Sequence, residues 1–567
     1  MVITATYRKT AAWMAALYIL QQSVVVMSGR LEYIMDIRFY DESYYLTQGF
    51  FHPVSSWIAD YSPLYSLYYK VLAFFQGGCA EWLYYDSWRF WDFMLGLSVF
   101  AILRHAGITF IPAMIWAMSA CASQLGFPLW PKAGNLAMTG TAVGIALLWK
   151  WRGKIVSQLL FTAGLCLCLA WCRPEFLAGA IAAGSAAIYF LVRRKEMPQL
   201  LSLIPALAGL GFFLLWGLPA GQSGRGLVAF GQHFVHNWRN ITGQNSGDLS
   251  WDWVNWRPIF QTHFGQAQNI AEAFVANPAD LLQHLWFNLR YFIYNVLVYF
   301  SETIFPKRIY GISPLAGLAA LWIAAELLSR WEAGNQFIRQ LRKQHFAAYL
   351  PWLCLALPSM LAGLLFQPRP HYILPLLPFF VFAAGLYLRN IRAGWLLKGW
   401  RRSFYFLPIV LFFNLPRSST FFQVREKSDR SAEITWHESN DYFGPVVTQS
   451  LKHKKMLWEL EWLKFPAGFR MFDASTGATE YFGDRVVQCG KIGFEMNYPA
   501  LKNFSRFLDS AKVQGIFLHE TIRYDNFFTY NPDWQKIKNQ PETIGWYKIA
   551  VGKAGDSLLL RKGISVY

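Results

Sequence analysis

Asp36, Asp41 and Glu42 open the polar, aromatic-rich stretch MDIRFYDESYYLTQGFFHPVSSWIADYSPLYSLYYKVL, which runs on through Lys70. A carboxylate beside a reacting hydroxyl can take its proton as a general base. Adjacent residues on a helix point about 100° apart, so Asp41 and Glu42 cannot both face one atom. One of them would face a site while the other supports the loop or a metal. Alternatively, all three are solvated surface groups.

Histidines and cysteines make a weaker case for chemistry. His233 and His236 have the HxxH spacing of two ligands on one helical face, but no acidic third ligand stands nearby. The seven cysteines include no CxxC pair. An odd number without that spacing predicts neither a metal nor a redox framework, and we interpret the three in one apolar segment as packing residues. No metal site is predicted.

The composition of the chain is that of a membrane protein. The 567 residues are 54% hydrophobic, 18% aromatic and only 15% charged, which is too apolar for a soluble enzyme of this size. The net charge of +18 comes from short basic runs between apolar stretches. That distribution is typical of membrane topology and gives no reason to expect a nucleic-acid partner.

About eleven segments are long and apolar enough to be candidate membrane-spanning helices. The first follows Arg8 and Lys9 and lacks a small-x-small cleavage site, so we interpret it as a retained anchor. The candidates lie near residues 11 to 28, 89 to 104, 107 to 125, 133 to 150, 155 to 172, 176 to 192, 199 to 219, 311 to 329, 346 to 366, 371 to 388 and 402 to 416.

Lys and Arg accumulate in cytoplasmic loops, and the basic runs alternate consistently when the amino terminus is inside. The run LLQHLWFNLRYFIYNVLVYF at 281 to 300 is nearly long enough to span. If it crossed, the basic loop at 330 to 343 would lie outside, so we place it along the outer interface. His284, Asn288 and Asn295 give it a polar stripe.

Residues 30 to 88, 220 to 310 and everything after about 417 are then extracytoplasmic. Residues 1 to 416 form the membrane part, predicted as an all-α polytopic bundle, and residues 417 to 567 a small soluble α/β domain. The latter contains short strand-like runs such as FRMFDAS, RVVQC, GIFLHE and SLLLR, and a probable helix at 446 to 464. No Gly-rich phosphate loop marks this domain as nucleotide-binding.

The order of DESYY and YSPLYSLYY after the first helix, then CRPEF and PRPHYILPLLPFF, resembles the GT-C superfamily of membrane glycosyltransferases. It is most similar to the bacterial branch that includes protein mannosyltransferases and the aminoarabinose transferase of lipid A. The resemblance covers residues 1 to about 416. It implies a helical bundle in the bacterial cytoplasmic membrane with an active site at its outer face. It also implies a polyprenyl-phosphate sugar donor and an acceptor that is a lipid, a glycan or a protein.

The resemblance places the catalytic carboxylate at Asp41, with Glu42 as its neighbour. Asp41 would take the proton of an acceptor hydroxyl in a single, inverting displacement. Many relatives act without a cofactor, but the superfamily also contains members that use a divalent cation, so the need for such a cation stays open.

A leaving phosphate needs positive charge. The candidates are Lys132 in FPLWPKAGN, Arg173 in CRPEF, and Arg369 with His371 in PRPHY. Arg369 lies between two prolines that fix the backbone, so it is the first choice. Lys132 and Arg173 could instead bind the headgroups of membrane lipids, and Arg173 could pair with Glu175.

Tyr44, Tyr61 and Tyr65, with Lys70, are the candidates to line the substrate site, although an interfacial aromatic belt also explains the tyrosines. Two other functions remain open. A lipid or glycan transporter would place ionisable groups deep within its spans, where this chain has almost none. A non-catalytic envelope assembly protein would use the outer domain as a binding module.

Overall fold

The computed structural model describes residues 2–27, 42–57, 62–76, 80–122, 133–151, 153–194, 196–219, 225–243, 256–304, 349–390, 423–426, 432–435, 465–473, 486–491, 503–518, 531–551 and 557–566. Helices dominate up to residue 390, and a small mixed sheet lies near the carboxyl terminus. The expected combination of helices followed by an α/β tail is present. The candidate spans at 311 to 329 and 402 to 416 lie outside the described residues, as does the predicted helix at 446 to 464.

The helices of the first half follow the apolar segments of the sequence. They are α1 (Val2–Met27), α2 (Glu42–Phe51), α3 (Pro63–Gln76), α4 (Ala80–Ala106), α5 (Phe110–Ala122), α6 (Ala133–Lys150), α7 (Ile155–Ala170), α8 (Phe176–Arg194) and α9 (Ile204–Trp216), with 3-10 turns at Val54–Ser56 and Leu200–Leu203.

The second half adds shorter helices before the sheet. They are α10 (Arg225–Thr242), α11 (Trp256–Phe264), α12 (Ile270–Ala276), α13 (Pro278–Ile304), α14 (Leu350–Leu365), α15 (Pro370–Ile373) and α16 (Leu377–Asn390), with a 3-10 turn at Leu374–Leu376.

Glycines allow α7 and α8 to approach their neighbours closely. A Cβ added at Gly164 would lie 2.3 Å from the backbone nitrogen of Ala206 on α9. One added at Gly179 would lie 2.6 Å from the Cys354 carbonyl oxygen on α14. Small residues at helix contacts are typical of packing between helices in lipid.

The surface of α8 and α9 is apolar where a soluble protein would be polar. Leu207 on α9 is 67% exposed, Leu214 is 78% exposed, and Val192 on α8 is 74% exposed. Within the described residues α8 is the one helix that is both long and apolar enough to cross a bilayer, and six shorter apolar helices of 10–17 residues accompany it. The count of about eleven spans stays a prediction.

The placement of α13 along the outer interface stays a prediction, and the structure shows which helices it packs beside. This helix packs beside α5 and α14: Phe292 lies against Gly363, and the Trp116 indole donates to Thr303 Oγ1 at 3.2 Å. Its polar stripe faces inward, and its apolar face, which includes Trp286, is exposed. The sequence shows the stripe but not its partners, which are backbone carbonyls of a neighbouring segment.

The carboxyl-terminal sheet contains β3 (Phe469–Asp473), β4 (Val486–Lys491), β5 (Gly515–Leu518), β6 (Trp546–Val551) and β7 (Ser557–Arg561), after a separate hairpin of β1 (Gln423–Glu426) and β2 (Ala432–Thr435). Its order is β4-β3-β5-β7-β6. The first three strands in that order are parallel, and β7 runs antiparallel to both of its neighbours. The runs FRMFD, VVQC, GIFL and SLLLR are strands, as predicted.

Two helices, α17 (Phe504–Ser510) and α18 (Pro532–Asn539), cover one face of this sheet. Phe504 and Trp534 from these helices form a core with Leu559 of β7. Leu558 and Leu560 point to the opposite face, as strand alternation requires, and are buried as well. Both faces of the sheet are therefore covered.

Candidate functional site

Glu42 is the first residue of α2, and its side chain is buried. Its Oε1 accepts hydrogen bonds from the hydroxyls of Tyr65, at 2.6 Å, and Tyr69, at 2.5 Å. The two tyrosines stand four residues apart on α3, so their side chains share one helical face. The carboxylate is therefore held by a pair of donors on a second helix.

Electrostatics keeps both donors protonated. Burial raises the pKa of Tyr65 and of Tyr69 well above the usual value, and the negative charge of Glu42 raises both further. A phenol with a raised pKa remains a hydrogen-bond donor at any physiological pH. The hydrogen bonds from both hydroxyls therefore connect the start of α2 to α3.

Aromatic side chains fix α2 and α3 against α4. The rings of Tyr45 and Tyr65 meet edge to face at 5.4 Å, and Trp91 of α4 lies 5.0 Å from Tyr68 and 5.9 Å from Tyr65. Tyr65 is fully buried, and its place in the lining of a sugar site stays a prediction. Its ring packs in this cluster and its hydroxyl holds Glu42.

Several predicted site residues cannot be placed. Asp41, Tyr61 and Lys132 lie outside the described residues, as does the side chain of Tyr44, whose backbone belongs to α2. Lys70 follows Tyr69 on α3, and its Nζ donates to the His52 carbonyl at 3.5 Å.

The start of α3 is attached to the end of α7, beside the CRPEF motif. Ser62 Oγ donates to the Cys172 carbonyl at 2.6 Å, and the Leu64 amide donates to the Trp171 carbonyl at 3.2 Å. Ser62 adopts a positive φ of 50°, a conformation that non-glycine residues rarely take. Because Glu42 is bound to α3, these contacts place the segment that begins at Glu42 close to Arg173, which follows Cys172.

Arg173 joins this region to the PRPHY motif. Its Nε lies 2.8 Å from Glu175 Oε1, the pairing expected from the sequence, and its guanidinium stacks 4.5 Å from the Tyr372 ring centroid. The side chain is only 11% exposed. Burial alone would lower the pKa of Arg173, but the carboxylate of Glu175 outweighs it and raises the pKa. Arg173 is therefore a buried, permanently charged cation.

The segment after Lys132 reaches the same place. Cys172 Sγ donates to the Ala133 carbonyl at 3.2 Å, and a Cβ at Gly134 would lie 2.9 Å from the His371 carbonyl oxygen. Gly134 thus permits α6 to touch the backbone of the PRPHY turn. Ala133 and Gly134 at the start of α6 therefore lie together with CRPEF and PRPHY at one end of the bundle, although the three segments are far apart in sequence.

Arg369 and His371 lie in a turn whose geometry is fixed locally. Arg369 Nε donates to Gln367 Oε1 at 3.0 Å, and the Arg369 carbonyl accepts the amides of Tyr372 and Ile373. The His371 ring lies 4.2 Å from that of Tyr372, the residue on which Arg173 stacks. Arg173 and the turn therefore form one cationic and aromatic group.

Side chains on α13 hold the segment that leads into this turn. Asn288 Nδ2 donates to the carbonyls of Leu364, at 2.7 Å, and Phe366, at 2.6 Å. His284 Nε2 lies 3.0 Å from the Leu365 carbonyl oxygen, and Asn295 Nδ2 donates to the Pro368 carbonyl at 2.9 Å. The sequence displayed these residues as a polar stripe, but it did not show what the stripe binds.

His233 of α10 lies beside the aromatic residues that surround the PRPHY turn. Its buried ring lies 6.2 Å from Phe366, which in turn stacks on Tyr372 at 5.9 Å. Burial and then the positive charge of Arg369 lower the pKa of His233 well below its ordinary value. The imidazole is therefore neutral beside the cations. Among the described residues no three His, Cys, Asp or Glu side chains are close enough together to hold a metal ion.

Comparisons with protein-family models, curated proteins and solved structures found no match to this chain.

Proposed function

We propose that the chain is an integral membrane glycosyltransferase of the GT-C type. It transfers a sugar from a polyprenyl-phosphate donor to an acceptor hydroxyl on the extracytoplasmic face. The observation that carries the proposal is that CRPEF and PRPHY lie together with Ala133 and Gly134, the residues directly after Lys132, beside the anchored acidic segment that begins at Glu42. A carboxylate for proton transfer and cations for a leaving phosphate are the two groups that such a reaction needs.

Membrane insertion is supported by the distribution of polar and apolar side chains, which is the reverse of that in a soluble protein. Leu207, Leu214 and Val192 are more than 65% exposed, whereas the amide groups of Asn288 and Asn295 are buried. Soluble monomers rarely expose continuous apolar surface on this scale. Hydrocarbon is the solvent that favours this arrangement.

In the proposed reaction Asp41 removes the proton from the acceptor hydroxyl. The acceptor oxygen forms a bond to the anomeric carbon as the bond from that carbon to the phosphate oxygen breaks. The phosphate leaves with the electron pair, and the configuration inverts. Glu42, held by Tyr65 and Tyr69, fixes the first turn of α2 directly after Asp41.

The leaving phosphate is placed at Arg369, with Arg173 and His371 beside it. A guanidinium offers a planar set of donors that matches phosphate oxygens. Arg173 already uses its Nε on Glu175, and Arg369 uses its Nε on Gln367. The guanidinium groups of Arg369 and Arg173 are the ones proposed to face the phosphate.

One observation favours the transporter alternative. Asp92 on α4 lies near the start of the candidate span at 89 to 104 and is fully buried. Buried carboxylates inside spans are typical of transport pathways. Asp92 lies one residue from Trp91, which packs on the tyrosines around Glu42, so it also stands close to the proposed site.

The two functions are separated by a release assay. Purified protein is incubated with a radiolabelled polyprenyl-phosphate sugar, with and without envelope lipids and glycans extracted from cells that lack the gene. A transferase releases free polyprenyl phosphate and labels an acceptor only when the extract is present. A transporter, when it is reconstituted in lipid vesicles, moves the donor across the vesicle membrane without releasing polyprenyl phosphate.

A further inference from the structure

A cavity of about 510 Å³ lies between α1, α4, α5 and α6. Its walls are almost entirely apolar and include Trp13, Leu97, Phe100 and Val143. Trp13 is 40% exposed and Val143 is 50% exposed, so the cavity opens on the surface of the bundle between α1 and α6. Its volume lies within the range of pockets that hold small organic ligands.

One end of the cavity is basic. Arg104 and His105, in the last turn of α4, contribute to its wall. Arg104 Nη1 donates to the Ile108 carbonyl at 2.6 Å, which holds the guanidinium at this end. In the part of the chain that the structure describes, no carboxylate forms an ion pair with Arg104.

The cavity is separate from the proposed sugar-transfer site. Trp91 packs on Tyr65 near Glu42, and Arg104 follows thirteen residues later on the same helix. At 1.5 Å per residue, this separation is about 20 Å along the helix axis. The basic end of the cavity is thus far from the cations around Arg369.

A space with apolar walls favours apolar ligands over ordered water. In a bilayer the available apolar ligand is a lipid chain, and the guanidinium at one end selects a negatively charged headgroup. With the amino terminus inside, the second candidate span, at 89 to 104, ends on the cytoplasmic side. Arg104 is therefore expected in the cytoplasmic leaflet, where anionic lipids attract Lys and Arg.

We propose that this cavity binds one acyl chain of an anionic glycerophospholipid, with the lipid phosphate at Arg104. The proposal depends on membrane insertion but not on sugar transfer. The other source of a lipid chain is the isoprenoid of the donor, whose phosphate belongs at the Arg369 end. The bound lipid would fill the gap between α1 and α6 and hold the two helices together.

The test is native mass spectrometry of protein purified in detergent with equal amounts of phosphatidylglycerol and phosphatidylethanolamine. Val143→Trp fills the mouth of the cavity, and Val192→Trp, at an exposed position on α8, is its matched control. Arg104→Gln removes the cation, and Arg193→Gln removes a comparable cation at the end of α8.

Wild-type protein should retain phosphatidylglycerol in preference to phosphatidylethanolamine. Val143→Trp should lose most of this lipid, and Arg104→Gln should lose about fivefold in its preference for phosphatidylglycerol, because a basic residue near the surface contributes about that factor. Both controls should behave as wild type. Equal retention in variants and controls, or equal loss in both, would overturn the proposal. Retention of polyprenyl phosphate in place of glycerophospholipid would also overturn it. Sugar transfer is measured separately, so a failure of the enzyme proposal leaves these outcomes unchanged.

Discussion

Asn295 of α13 donates a hydrogen bond from Nδ2 to the carbonyl of Pro368 at 2.9 Å, and Pro368 is the residue that precedes Arg369. Together with Asn288 it connects a 27-residue helix to the turn that carries the proposed phosphate ligands. Both asparagine side chains are buried, so the contact is shielded from water. The position of Arg369 is therefore set by a helix that supplies none of the proposed phosphate ligands.

Asn295→Leu should weaken use of the donor more than it slows chemistry. The substitution removes the donor to Pro368 and leaves a buried carbonyl without that partner, which costs about 1–3 kcal/mol in comparable cases. We expect a raised KM for the polyprenyl-phosphate sugar and a smaller change in kcat, because Arg369 is displaced but not lost. Thermal unfolding measured in parallel shows how much of the effect is stability. An unchanged KM in a folded variant would show that α13 does not position the turn.

Tyr65→Phe and Tyr69→Phe should each destabilise the protein. Each removes one hydroxyl that donates to the buried Glu42, and hydrogen bonds to charged groups contribute about 1.5–3 kcal/mol. Tyr68→Phe is the matched control, since Tyr68 lies on the same helix and does not donate to Glu42. The measurement is the thermal unfolding midpoint in detergent. If Tyr68→Phe lowers the midpoint as much as the other two, the loss reflects the aromatic cluster and not the carboxylate.

Arg369→Lys should impair donor use, and Arg369→Ala should impair it more. Lysine keeps the charge but loses the planar fork that matches phosphate oxygens. Arg193→Lys, at the exposed end of α8, serves as the control. Steady-state kinetics with the donor varied is the measurement. Wild-type donor kinetics in Arg369→Ala would place the lipid phosphate elsewhere, with Arg173 and Lys132 the next candidates.

Topology tags test the membrane arrangement without reference to activity. Tags after residues 154, 195, 343 and 398 should report the cytoplasm, because Lys and Arg accumulate there, and tags at 240 and 567 should report the opposite side. Protease protection in spheroplasts is the measurement. A cytoplasmic carboxyl terminus would remove the extracytoplasmic assignment of the sheet.

The sequence predicted best what depends on local pattern. Apolar length located α1, α4 to α9, α13, α14 and α16, and strand-like runs located β3, β4, β5 and β7, because burial on one or two faces gives a periodic pattern of apolar residues. The resemblance also placed CRPEF and PRPHY at the same outer face. The stacking of Arg173 on Tyr372 shows that the two motifs are in contact.

What the sequence could not show was the partner of each polar group. Asn288 and Asn295 form a visible stripe, but a stripe looks the same whether it binds water or backbone carbonyls. Tyr65 could have stacked on a sugar, and only tertiary packing shows that its hydroxyl reaches Glu42. Asp92 was missed because a single carboxylate near the end of an apolar run resembles a residue at the membrane surface.

The most direct test of sugar transfer is single-turnover release of polyprenyl phosphate by Asp41→Asn, compared with wild type and Glu42→Gln. An amide is close in size to a carboxylate but cannot take the acceptor proton, and base catalysis contributes about 10² to 10⁴-fold. We predict that Asp41→Asn inserts, folds and binds donor but loses turnover by about that factor. Glu42→Gln should instead lower thermal stability, since it alters the acceptor of the Tyr65 and Tyr69 hydroxyls, and should retain more turnover. Normal turnover in Asp41→Asn would contradict the assignment of the base, and normal turnover in both variants would contradict the transferase mechanism.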